Sequence, residues 1–214
     1  MRSIKHLHRR FLTRTTAGLG ATAAVGALAL SLGLGAASAA SSASGAATRP
    51  SPPFSFALVP SPGIAKCLPH AGGEVTITPG NLNDIMQVSL HGMPRDTGFD
   101  LFVIQQPLKP FGVAWYQSDI NVGDNGAGSA RVRGIFDRET FSVSLGGTTT
   151  FPPTHQFHLG VWFNNPNTPF NLGCEPTATK PVVTPFNGEQ HAGIQVINTS
   201  EFPVNAGPLS HVHR

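Results

Sequence analysis

Beyond Lys66 the apolar residues come in short runs, each cut off by Gly, Pro, Asn or Asp, and none keeps a helical period for three turns. Met86, Val88 and Leu90 alternate with Gln87, Ser89 and His91, the period-two pattern of a half-buried strand. Val75–Thr78 stops at Pro79-Gly80, and Phe99–Ile104 is a more continuously apolar run. Further strand candidates are Val113–Tyr116 with Ile120 and Val122, then Ala130–Phe136, Phe141–Leu145, Phe157–Phe163, Pro181–Phe186 and Ile194–Asn198. Asp124-Asn125-Gly126 predicts a hairpin, because Asn-Gly supplies the positive φ angles of a type I′ turn. Gly and Pro, 24 and 19 of 214 residues, oppose long helices. About eight or nine short strands with frequent turns predict an all-β fold, an antiparallel β-sandwich over 65–210 with a closed barrel as the main alternative.

The N-terminus has another character. Residues 1–14 are basic, 17–36 are uncharged and rich in Ala, Gly and Leu, and Ala37-Ser38-Ala39 offers small residues for cleavage. This layout predicts a secretory signal peptide over 1–39. The uncharged stretch 15–48 is also long enough for a retained anchor; after cleavage no stable membrane span is expected. Arg9-Arg10 lacks the preceding Ser or Thr of a twin-arginine signal, which favours the general export route over that one. Residues 40–64, mostly Ser, Ala, Gly and Pro, read as a linker from which Phe54, Phe56 and Leu58 can dock on the domain, and 211–214 as a frayed tail.

Charge follows this division. Five of the 14 Lys and Arg precede residue 40, which leaves nine against 11 acidic groups, a net of −2 for the remainder. A basic footprint for nucleic acid is therefore missing despite the overall pI near 9.2. Cys67 and Cys174, the only cysteines, suit a disulfide in an oxidising compartment; closing 107 residues of chain constrains the unfolded state by about 4–5 kcal/mol on the chain-entropy account. Export and the disulfide together predict an extracellular or cell-surface protein.

No catalytic or metal set is assembled by local spacing. The loop with Asp119, Asn121, Asp124 and Asn125 offers oxygens for calcium, but its EF-hand positions are filled wrongly, with Gly123 at the fifth place and Ala130 at the twelfth. His155 and His158, three apart, point to opposite faces of a regular strand, and His211 and His213 lie at the C-terminus. There is no Gly-x-Ser-x-Gly elbow. No metal and no cofactor is expected. Asp100, Asp119 and Glu189 are the carboxylates in or near structured runs, and Glu189 with His191 is the most suggestive pair, because residues two apart share a face of an extended chain. A polar turn before the last strand is the preferred explanation of that pair, because no nucleophile or metal is visible for it to activate. A spatially assembled hydrolase or metal site would draw on Glu189, His191, His158 and Asp119.

Trp115, Tyr116 and Trp162 are ring candidates for stacking on sugars, with core packing as the ordinary alternative; Trp115 and Tyr116, being adjacent, face opposite ways, which predicts one in the core and one exposed. Asn164 and Asn165 add amides suited to hydroxyl groups. The reading favours a non-catalytic protein that binds glycan or a cell-envelope polymer, and it sets no oligomeric state.

Three segments, His91–Val103, Leu159–Asn164 and Thr184–Val196, resemble those of uncharacterised exported bacterial proteins. The first is also similar to strand-turn-strand stretches of immunoglobulin-like secreted modules. The resemblance implies an immunoglobulin-like sandwich and brings no activity with it.

Overall fold

A computed structural model describes residues 50–136, 155–186 and 189–213. These belong to one compact unit, which spans Ala46–Arg214. The segment expected to be a signal peptide, with its cleavage motif, and the strand expected at 141–145 lie outside the described residues.

Among the described residues eight strands form a single antiparallel sheet: β1 (Phe54–Pro60), β2 (Gly72–Thr78), β3 (Asp84–His91), β4 (Gly98–Ile104), β5 (Ala114–Asn121), β6 (Gly128–Gly134), β7 (His158–Phe163) and β8 (Gln195–Asn198). Their order is β5-β4-β7-β8-β1-β2-β3-β6. β1 joins two halves, since Phe54–Leu58 pair with β2 while Val59 and Pro60 pair with β8. The outermost strands, β5 and β6, are consecutive in the chain and touch at the Val122–Gly128 bridge, so the sheet nearly closes into a barrel. One short helix, α1 (Asn167–Asn171), follows β7. Among the described residues, no helix is long and apolar enough to cross a membrane.

The alternation seen in the sequence decides which face turns inward. Met86, Val88 and Leu90 of β3 are buried together with Val75 and Ile77 of β2, against Phe99, Leu101, Val103, Leu159 and Val161 from the other half. All six positions of β7, and all but the first of β4, are buried. The second face of these strands is covered as well. Phe102, Ile104 and Trp162 pack there with Phe111 and Ala192, which the loops 105–113 and 181–194 lay across the sheet. That double covering explains the unbroken apolar run Phe99–Ile104.

Four expectations need correction. Phe54, Phe56 and Leu58, expected to dock from the end of the 40–64 linker as an edge segment, instead belong to an interior strand: Phe56 and Leu58 alternate into the core, and the β1 backbone pairs on both sides. The frayed-tail reading of 211–214 fails for its described part, where Val212 is buried and His213 O accepts a hydrogen bond from Ser51 N at 3.2 Å. Residues 181–186 form no strand, only a Phe186–Glu189 bridge; Pro181 and Pro185 have no N–H to give to a ladder. The 124–126 turn is not type I′. Gly126 alone has a positive φ, 72°, and Gly126 N donates to Gly123 O while Gly123 N donates to Ala127 O. This is the three-residue loop of a type I turn with glycine in the left-handed place. A Cβ on Gly126 would stand 2.7 Å from Met93 O, so close approach reinforces the choice of glycine.

Candidate functional site

The first half of β5, paired with Phe102–Ile104 of β4, carries the most exposed aromatic surface among the described residues. Trp115 is 52% and Tyr116 40% exposed. The expectation that one of the two enters the core is thus corrected: among the described residues β5 ends the sheet, and both rings stay partly exposed.

A β-bulge shapes this edge. Asp100 pairs with Asp119 and Leu101 with Ser118, but Phe102 pairs with Tyr116, which leaves Gln117 as an extra residue. Tyr116 and Asp119, three apart, therefore share one face, whereas a regular strand would separate them. The Tyr116 hydroxyl donates to Asp119 Oδ1 at 2.8 Å, and its ring meets Phe102 edge-on at 5.7 Å. Trp115, in register with Val103, belongs to the opposite face.

Beneath Tyr116 and Asp119 lies Asp100, 1% exposed, with its Oδ2 buried and without a hydrogen-bond partner. Burial foremost, and then the negative charges of Glu189 and Asp119, push its pKa up to about 7, while the Asn164 side chain pulls the other way. The Tyr116 phenol is pushed up to about 12, by burial first and then by its bond to Asp119 and the nearby carboxylate charges. The cluster thus combines a carboxyl close to half-protonated at neutral pH, a phenol held neutral, and Asp119 and Glu189.

The other residues singled out from the sequence fall elsewhere. Trp162 is fully buried, edge-on to Phe102, Phe111 and Phe186, in space left open by Gly160; a ring without an exposed face has no stacking role, and its reading as a ligand contact is corrected. Asn164 is exposed beside Asp100. Asn165 Oδ1 accepts from the backbone N and the side-chain amide of Asn167, both at 3.0 Å, so its side chain orders the entry to α1 rather than a ligand.

Glu189 and His191 are not a carboxylate–imidazole pair: Glu189 Oε1 accepts from the backbone N–H of His191 at 2.6 Å, a local turn bond. His158 is buried, its Nδ1 2.9 Å from Thr199 Oγ1 and its Nε2 3.0 Å from Val204 O. Both carbonyl contacts of Nε2, to Pro203 and Val204, require a proton there, and burial lowers the pKa, so the ring is a neutral structural member. Of the four polar residues proposed to assemble, Asp119 and Glu189 gather around Asp100, whereas His158 is tied to 199–204 and the exposed His191 enters the cluster only through its backbone. Among the described residues no three His, Cys, Asp or Glu stand close enough to hold a metal ion. In the loop considered for calcium, Asn125 Oδ1 accepts from Ala127 N at 3.0 Å.

Cys67 and Cys174 form a disulfide, with Cα atoms 5.2 Å apart, that ties the 3₁₀ turn Ile64–Lys66 to the chain following α1. Such a bridge fits a non-reducing environment. Sequence reasoning missed a buried polar set, Ser61, Gln195 and Asn198, joined by three bonds of 2.9 Å. No pattern announces it, since its members are 134 and 137 residues apart in the chain. No protein-family model matches this chain, and no curated protein is significantly similar to it.

Proposed function

We propose that the chain is an exported, non-catalytic protein whose β5 edge binds a polysaccharide, either a free glycan or a cell-envelope polymer. The observation that carries this reading is the exposure of Trp115 and Tyr116, one on each face of a single edge strand, beside polar groups suited to sugar hydroxyls. Aromatic rings offer rigid apolar faces at low entropic cost. The Asp119 carboxylate accepts hydrogen bonds from hydroxyls, and the Asn164 amide both donates and accepts. The basic and apolar N-terminal segments, the Ala37-Ser38-Ala39 motif and the disulfide support secretion to the extracellular space or cell surface. The two strand sets that share β1 support the finer description of the fold as an immunoglobulin-like sandwich. Electrophoresis through gels containing mannan, xylan or mixed-linkage glucan tests the binding: retardation in at least one gel, lost in Trp115→Ala, is the expected result, and unretarded migration in all of them counts against it.

A second reading is favoured by one observation. Asp100, with a pKa of about 7 beside Asp119, resembles the divided pair of carboxyls used in general acid catalysis. A general acid must come within about 2.6–3.2 Å of the atom it protonates, and Asp100 is 1% exposed. Release of reducing ends from a glycan by the protein, abolished in Asp100→Asn, would establish hydrolysis in place of binding alone.

A further inference from the structure

Loop 105–113 folds back over the face of the sheet turned away from the main core, until Pro107 O accepts a hydrogen bond from Gln195 Nε2 at 3.0 Å. Between this loop, the turn after β1 and the segment before β8 lies a pocket of about 390 Å³, within the range of small-molecule sites. Its walls are apolar, with Pro62, Ile64, Leu108, Phe111 and Ile194. Its floor is polar and fixed. Ser61 Oγ donates to Gln195 Oε1 at 2.9 Å, and Asn198 Nδ2 donates to both at the same distance. Because these groups already satisfy one another at 7% exposure or less, the floor holds its shape without a ligand.

Phe111 reaches the pocket from a strained backbone. Its φ is 55°, a region that a bulky residue rarely adopts. The turn that holds it there is closed by Phe111 N donating to Leu108 O at 2.9 Å and Gln106 N donating to Phe111 O at 2.8 Å. Lys109 lies within the same turn and is, among the described residues, the only ionisable one lining the pocket. It is exposed and forms no ion pair among the described residues. An apolar cavity with a single cation at its rim matches a ligand with an apolar body and one negative charge.

We propose that this pocket binds an amphipathic monocarboxylate, its hydrocarbon or aromatic body against Ile64, Leu108, Phe111 and Ile194 and its carboxylate on Lys109 Nζ. The site is separate from the β5 edge and does not depend on polysaccharide binding. Isothermal titration of the purified protein with decanoate, decanol and decylamine, each below its aggregation concentration, tests it. Decanoate is expected to bind saturably with one site per chain, and decylamine not at all. Lys109→Gln, a substitution at an exposed position, should weaken decanoate by about tenfold and leave decanol unchanged. Leu108→Trp, which fills the cavity from a residue already 38% exposed, should abolish binding of both. Absence of saturable decanoate binding, or equal affinity in Lys109→Gln, would overturn the proposal; so would unchanged affinity in Leu108→Trp.

Discussion

Tyr116 and Asp119 are three residues apart on β5, yet phenol and carboxylate meet at 2.8 Å because Gln117 is an extra residue in the pairing with β4. Tyr116 is the only tyrosine in the chain, so its ionisation can be read without overlap. Titration followed by phenolate absorbance is expected to show a midpoint of about 12 rather than the ordinary 10. In Asp119→Asn the midpoint should fall toward 10 but remain above it, because burial raises it independently of Asp119. A wild-type midpoint at 10 would remove the bond from the account.

The pKa of Asp100 is raised in the folded state, which means that the fold binds this proton more tightly than the unfolded chain does. The associated stability is fully present below the ordinary value of 3.8 and is lost as pH rises to about 7. Above that, the protein carries a buried carboxylate with an unpartnered oxygen. Asp100→Asn should therefore stabilise the protein at pH 8 by about 1–3 kcal/mol and lose that advantage near pH 4. Denaturant unfolding at the two pH values measures the difference. A variant less stable than wild type at pH 8 would show that the charge is compensated.

The strand alternation in Met86–Leu90 and the run Phe99–Ile104 were legible in the sequence because burial on one face or both leaves a direct mark on residue type. The disulfide was legible because two cysteines allow only one intramolecular pairing. β1 was hidden by its surroundings: Pro52, Pro53 and Pro60 bracket a short apolar alternation whose partners, β2 and β8, become adjacent only through the fold. The acidic cluster was half legible. Asp100, Asp119 and Glu189 stood out as carboxylates in structured runs, but no residue pattern encodes the bulge that brings Tyr116 to Asp119. Nor does spacing tell that Glu189 bonds the backbone of His191 and leaves its ring aside.

The two tryptophans should respond oppositely to truncation. Trp162→Ala removes a fully buried ring from contact with Phe102, Phe111 and Phe186 and should cost about 3–5 kcal/mol. Trp115→Ala, at an exposed edge, should stay within about 0.5 kcal/mol of wild type. Thermal or denaturant unfolding of both variants checks this, and a Trp115→Ala loss comparable to that of Trp162→Ala would mean that the edge ring is a packing residue.

The Cys67–Cys174 bridge closes 107 residues of chain, so the double variant Cys67→Ser, Cys174→Ser should lose about 2–5 kcal/mol. Intact mass of the protein should be two hydrogens below that of its reduced form. Two titratable thiols in the purified, unreduced protein would contradict the bridge.

Polysaccharide binding at the β5 edge is tested by co-sedimentation with insoluble glycans and isolated bacterial cell wall. The purified protein should pellet saturably with at least one polymer, and Trp115→Ala and Tyr116→Ala, each confirmed as folded, should remain in the supernatant. No pelleting with any polymer, or pelleting unchanged in both variants, would contradict the claim.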